Sequence, residues 1–383
     1  MDRAIQLLRE LVAIDSVNPS LVPGAAGEGA IADAIAAELR RIGMDVELQT
    51  VAPGRPNVVG ILEGRAGGRS MMFCGHIDTV GVDGMDAPFD PVERDGRLYG
   101  RGAQDMKGGI AAMIDAARVM AESGFAAGRL VIAAVVDEEY ASVGADALVT
   151  KFRTDAAVVT EPTDLQIAIG HKGFAWTEIR TKGRAAHGSR PRDGRDAIVR
   201  MGRVLTALEA LDQRLQAAPP HPLLGTASLH ASRIEGGREL SSYPDSCTLK
   251  LERRTLPGET DSVIARELET LLATLRAADP EFEASAAHLF SRPAYELTAE
   301  HELPQMLLSA RSQTLVSRKL PLNLPGMTFW TDAAVLGSAG IPSVLFGPGG
   351  AGLHSTEEYV NVEDVVACRD ALVALARVWT RQV

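Results

Sequence analysis

The 383-residue chain is 46% hydrophobic and 23% charged, which excludes an extended disordered chain and fits a globular enzyme. Its formal net charge of −11 argues against nonspecific attraction to nucleic acid or an anionic membrane surface, because either polyanion would be repelled. The length exceeds what one ordinary core organises, so two domains are expected.

Residues 1–15 place Ile5, Leu8, Leu11 and Val12 among Asp2, Arg3, Arg9 and Glu10, the pattern of an amphipathic helix and not of a signal peptide. Helical periodicity follows over 28–42, then strand-like runs at 46–51, 57–62 and 70–74. A helix over 107–121 precedes a strand at 130–136, and a helix over 145–151 precedes a strand at 156–159. This βαβ rhythm predicts a mixed, largely parallel sheet flanked by helices, with ligands gathered beyond the carboxyl ends of its strands.

After Gly170 the texture changes. Strands are expected at 172–181, 226–234 and 247–254. Between and after them lie two apolar stripes, one of Ile198, Met201, Val204, Leu205, Leu208 and Leu211 and one of Ile264, Leu268, Leu271 and Leu275. From about Tyr295 the earlier rhythm returns, with helices over 302–313 and 362–381 and a strand over 343–346. We therefore expect an α/β catalytic domain of residues 1–172 and 290–383, interrupted by an inserted α+β lid of residues 173–289. Cys74, Cys247 and Cys368 are odd in number and lack CxxC spacing, so free, mostly buried thiols in a reducing compartment are expected. No run of about 18 apolar residues exists, and cytoplasmic residence is the expectation.

The chemistry lies in five short texts: Gly75-His76-Ile77-Asp78-Thr79, the stretch Gly100-Arg101-Gly102 through Asp105-Met106-Lys107-Gly108, Asp137-Glu138-Glu139, Thr160-Glu161-Pro162 and Leu353-His354-Ser355. Two imidazoles and three carboxylates suit a pair of zinc-like cations. His76 and Glu161 would hold one cation, Glu139 and His354 the other. Asp105 would bridge them, offsetting the repulsion between two close dications. Asp78 is expected to orient the His76 imidazole through its carboxylate. Glu138, diverging from Glu139, is free to take a proton from the attacking water and pass it to the leaving amine.

Each text has a plainer reading alone. Asp-Glu-Glu at a strand end can be a solvated turn, Glu161-Pro162 a simple turn, and the glycines around Arg101 a tight loop. Lys107-Gly108-Gly109 lacks the full phosphate-loop order, which excludes nucleotide binding. His171, His221, His230, His288 and His301 have no acidic pattern beside them and read as packing or surface residues. Only the order of the five texts, each after an apolar run, makes a site.

Those texts, with Gly347-Pro348-Gly349 before His354, resemble the di-zinc amidohydrolases that include acetylornithine deacetylase, succinyl-diaminopimelate desuccinylase, aminoacylase-1 and carboxypeptidase-G-type glutamate carboxypeptidase. The resemblance runs from about Leu8 to the C-terminus. It implies two Zn²⁺ per subunit, with Co²⁺ or Mn²⁺ as substitutes, and hydrolysis of an N-acyl amino acid by a metal-bridging water with Glu138 as general base. It also implies a lid used for homodimerisation. Within it, Ala185-Ala186-His187-Gly188-Ser189 resembles the segment whose histidine reaches a neighbouring subunit's site and stabilises the oxyanion. Arg254-Thr255-Leu256-Pro257-Gly258 resembles the segment whose arginine holds the substrate carboxylate. Ser241-Ser242-Tyr243-Pro244 departs from the family's usual asparagine-containing stretch, which bears on acyl or amino-acid specificity. The rival readings are a metallo-carboxypeptidase or dipeptidase of the same family, a zinc aminopeptidase, and a non-catalytic binding homologue.

Overall fold

The computed structural model describes residues 2–316, 318 and 320–382; Met1 and Val383, the outer ends of the expected catalytic domain, lie outside the described residues. The chain divides into two units. The larger comprises the residues up to Ile169, Leu297–Pro325 and the residues from Thr331 onward. Its six-stranded sheet runs in the order Asp45–Ala52, Arg55–Glu63, Ala127–Val135, Ala66–His76, Ala156–Val159, Ser343–Leu345. The first two pairings are antiparallel and the remaining three parallel, so the sheet is mixed.

Met71, Met72, Phe73 and Cys74 are all fully buried along one central strand. Such a continuous apolar run means that helices cover both faces of the sheet. Helices Arg3–Val12, Gly108–Glu122 and Val362–Trp379 pack on one another, while Val143–Lys151 packs against Ala333–Ser338. The first turn of Gly108–Glu122 comes so close to the strand ends that a Cβ on Gly109 would stand 2.1 Å from the Thr160 carbonyl oxygen. Only glycine permits that approach. The parallel strands end together: His76 is the last residue of its strand, Glu138 lies three residues past Val135, and Glu161 two past Val159.

The smaller unit comprises Gly170–Glu296 and Gly326–Trp330. Its antiparallel sheet runs Ser228–Gly236, Ser246–Thr255, Gly173–Lys182, Glu283–Arg292. Helices Ala197–Ala217 and Asp261–Ala278 bury Met201, Val204, Leu208, Ile264, Leu268 and Leu272 against it. The unit is wider than the expected 173–289, because the short strand Gly170–His171 pairs with both Tyr295–Glu296 and Gly326–Met327. Strand Glu283–Arg292 was not expected; its mostly exposed side chains give no apolar alternation to read. Four stripe positions also differ. Ile198 is 43% exposed, Leu205 is partly buried, and Leu272 is fully buried where Leu271 and Leu275 are only partly so. The three cysteines are free and buried. No helix among the described residues is long and apolar enough to cross a membrane.

Candidate active site

His76 is 1% exposed. Its Nδ1 lies 3.0 Å from the backbone carbonyl of Asp78, so Nδ1–H donates there and Nε2 faces the cluster. That Nε2 stands 3.0 Å from Oδ1 of Asp105 and 4.0 Å from Oε1 of Glu161. Oδ2 of Asp105 is 3.4 Å from Nε2 of His354, which is also 3.1 Å from Oε2 of Glu139. The two oxygens of one carboxylate thus face two different imidazoles. Glu138 joins the cluster: ligand atoms of His76, Glu138 and Glu161 lie within 4.8 Å of one another, as do those of His76, Asp105 and Glu139.

Asp78 faces His76 in two ways: its backbone carbonyl accepts Nδ1–H at 3.0 Å, and its carboxylate stands beside the same nitrogen at 3.6 Å. The carboxylate accepts the backbone N–H groups of Glu138 and Glu139, each at 3.1 Å, and the Asn18 amide at 2.8 Å. It therefore shapes the turn that separates the two glutamates. Asp137 opens that turn at φ +70°, and its Oδ1 accepts from Asn18, Ser20 and Arg55. Arg55 also binds the fully buried Glu28 through two nitrogens. His354 sits at φ +57° just after Gly352, where a Cβ would meet the Glu357 carbonyl oxygen at 1.9 Å.

The electrostatics record a surplus of acid. Burial, reinforced by neighbouring carboxylates, pushes Glu138 and Glu161 well above the usual carboxylate range and Glu139 up to about 7. Asp332, at the start of Ala333–Ser338, adds to the negative potential at Glu138 and Glu161. Against the cost of burial, the Asp105 and Asp78 carboxylates hold the His76 imidazole well above its ordinary range. Hydrogen bonds to Asp105 and Glu139 raise His354 to about 10. Oε1 of Glu139 is buried without a hydrogen-bond partner. Four converging acids, two imidazoles and an orphan carboxylate oxygen fit bound dications better than they fit one another.

His187 and Arg254 belong to the smaller unit. His187 is exposed, and its Nδ1 accepts the Ser189 backbone N–H at 3.2 Å, which leaves the neutral ring with a donor at Nε2. Its loop is tied to the departing segment: Gly188 N donates to the Ser241 carbonyl at 2.7 Å and Tyr243 N to that of Ala186 at 2.9 Å. The Arg254 Nε is 2.7 Å from Glu252 Oε1, and its guanidinium lies 5.8 Å above the Phe174 ring.

The model of peptidase family M20/M25/M40 matches residues 72–378, a span that contains every residue of the site named above except Asn18, Ser20, Glu28 and Arg55. The chain belongs to this family. It is 32% identical over 387 residues to acetylornithine deacetylase of Myxococcus xanthus, covering 95% of this chain and 94% of that one. It is 30% identical over 398 residues to N-formyl-4-amino-5-aminomethyl-2-methylpyrimidine deformylase of Bacillus subtilis strain 168, covering 95% and 92%. Among solved structures, a tripeptidase from Staphylococcus aureus superposes with a TM-score of 0.82 at 20% identity, covering 99% and 98%. This M20/M25/M40 member is a hydrolase of amide bonds with a mixed α/β catalytic architecture.

Several residues that support the candidate site gave no readable signal. Asn18 and Arg55 meet Asp137 only through the fold, 119 and 82 residues away in sequence, and Glu28 pairs with Arg55. Glu358 passes for half of a solvated Glu357-Glu358 pair yet is 1% exposed. Lys107, read as a false phosphate-loop lysine, is fully buried, donates to the Ile14 carbonyl at 2.8 Å and is brought down to about 7 by burial. Of the five histidines set aside, His171 is buried and His301 caps helix Glu302–Thr314.

Proposed function

We propose that the chain hydrolyses the amide of an N-acyl amino acid, with acetylornithine-like or succinyl-diaminopimelate-like substrates, at a pair of zinc-like cations. The observation that carries this reading is Asp105, whose two oxygens address His76 and His354 separately. His76 and Glu161 would hold one cation, Glu139 and His354 the other, and Asp105 both. Bound there, the ions supply positive charge that polarises the scissile carbonyl and acidifies the attacking water. Glu138 accepts that water's proton and delivers it to the departing amine. His187 donates Nε2–H to the developing oxyanion. Arg254 pairs with the substrate carboxylate; Glu252, already on one edge of its guanidinium, keeps that fork oriented.

The deacetylase and deformylase relatives favour an acyl substrate; the tripeptidase likeness, at 20% identity, supports the fold. A panel of N-acetyl and N-succinyl amino acids against di- and tripeptides separates the readings. Turnover of the acyl substrates that disappears with a chelator and returns with Zn²⁺, Co²⁺ or Mn²⁺ is the expected result. Turnover of peptides alone would assign the peptidase reading, and turnover in metal-stripped protein would end the metal reading.

A homodimer through the smaller unit is part of this proposal. Ser228–Gly236 is an edge strand, and Ile198, Val199 and Ile234 are exposed in the same unit. If His187 serves a partner's site, His187→Ala lowers turnover by about 10²–10³-fold with metal content intact. Mixing it with Glu138→Gln under subunit exchange then restores activity, because some mixed dimers carry one complete site. A monomer in solution, or no recovery once exchange is demonstrated, would place His187 in cis or outside the chemistry.

A further inference from the structure

We propose that Glu358 is a positioning residue that locks the Asp105 turn and the His354 segment into one frame, and so sets the affinity for both cations. This rests on the metal reading above. Glu358 is four residues beyond His354 and is 1% exposed. Its Oε1 accepts the backbone N–H of Gln104 at 2.9 Å and that of Asp105 itself at 3.1 Å. Its Oε2 accepts the backbone N–H of Gly102 at 3.0 Å and Nη1 of Arg101 at 2.7 Å. The return tie comes from Arg101, whose Nη2 donates to the carbonyl of Ser355, the residue after His354, at 2.9 Å. Gly100 N closes the frame on the Glu358 carbonyl at 3.2 Å.

The backbone of the turn Ala103–Lys107 holds it only in part. Asp105 (φ −115°, ψ 93°) and Met106 (φ −131°, ψ 36°) are non-helical; the N–H groups of Ala103 and Lys107 reach the Gly100 and Gly102 carbonyls, whereas those of Gln104 and Asp105 go to Glu358. These two and the N–H of Gly102, just before the turn, converge on one carboxylate, as backbone nests do on an anion. All four partners are donors. A carboxylate satisfies them with two acceptor oxygens, whereas an amide turns an NH₂ against two of them. Glu358 touches neither substrate nor cation; it acts through the backbone of Asp105 and the loop of His354.

The test compares metal-stripped wild type, Glu358→Gln and the exposed neighbour Glu357→Gln by calorimetric Zn²⁺ titration, with circular dichroism reporting the fold. Wild type and Glu357→Gln are expected to bind two equivalents alike. Glu358→Gln is expected to bind both about 10–100-fold more weakly, and the activity it loses at limiting zinc is expected to rise again with excess zinc while KM stays unchanged. A role in general stability alone would reduce the folded fraction without moving the affinities. Should Glu358→Gln not fold, Arg101→Gln removes one of the four donors and the Ser355 tie, and a smaller weakening is expected. Folded Glu358→Gln with wild-type affinities overturns the inference, as does unaltered binding by Arg101→Gln. Wild type that takes up no zinc instead overturns the metal reading beneath it.

Discussion

Glu138→Gln is expected to lower turnover by about 10²–10⁴-fold while leaving metal content at the wild-type level. Glutamine keeps the size and much of the hydrogen bonding of the side chain but cannot accept the proton of the attacking water. The competing outcome is a real one, because ligand atoms of Glu138, His76 and Glu161 lie within 4.8 Å of one another, as do those of Glu139, His76 and Asp105. What separates the two glutamates is the turn held by Asp78, which ties both peptide N–H groups and splays the side chains that follow. Glu139 is thereby brought to His354 at 3.1 Å and keeps one buried oxygen unpartnered, the mark of a ligand. Glu139→Gln is accordingly expected to lose metal first and activity as a consequence. Metal analysis alongside kcat decides between them: depleted metal in Glu138→Gln with intact metal in Glu139→Gln would exchange the two roles.

Three of the residues proposed to carry chemistry were legible because each follows an apolar run that the fold turns into a parallel strand. Phe73 and Cys74 lead to His76, Val135 to Glu138, and Val158 and Val159 to Glu161; strand ends on one side of a parallel sheet have to converge. Asp105 was legible for another reason, the Gly100-Arg101-Gly102 turn and the helix after it, which fix a loop between two such strands. What stayed hidden is the support. Asn18, Arg55 and Glu358 are polar residues in segments with no periodicity, and burial decided by distant chain gives no local pattern. Asp78 shows the same limit at finer grain. Its nearness to His76 was readable, but which of its oxygens meets the ring depends on where Glu138 and Glu139 place their N–H groups. Strand Glu283–Arg292 was missed because its apolar residues do not alternate, and Ile198, read as part of the stripe, is left 43% exposed beside the fully buried Ala197.

Asp105→Ala is expected to abolish stable binding of both cations, and with it activity, whereas His354→Ala is expected to empty mainly one site. The asymmetry follows from position. Asp105 Oδ1 and Oδ2 stand 3.0 and 3.4 Å from two different imidazoles, so its removal takes one anionic ligand from each half of the site at once. It also leaves Glu138, Glu139 and Glu161 facing any two dications without the carboxylate that screens one from the other. On the proposed assignment His354 serves one half only, and its imidazole is 55% exposed, so the His76–Glu161 half would keep its own donors when it is gone. The fold should survive either change, since Asp105 makes its backbone contact with Glu358 through N–H rather than through the side chain. Zinc titration of each metal-stripped variant reads this directly. Two weakened equivalents for Asp105→Ala and one retained equivalent for His354→Ala are the expected pair. Equal occupancy in the two variants would mean that Asp105 serves a single cation, and the bridging assignment would have to be withdrawn.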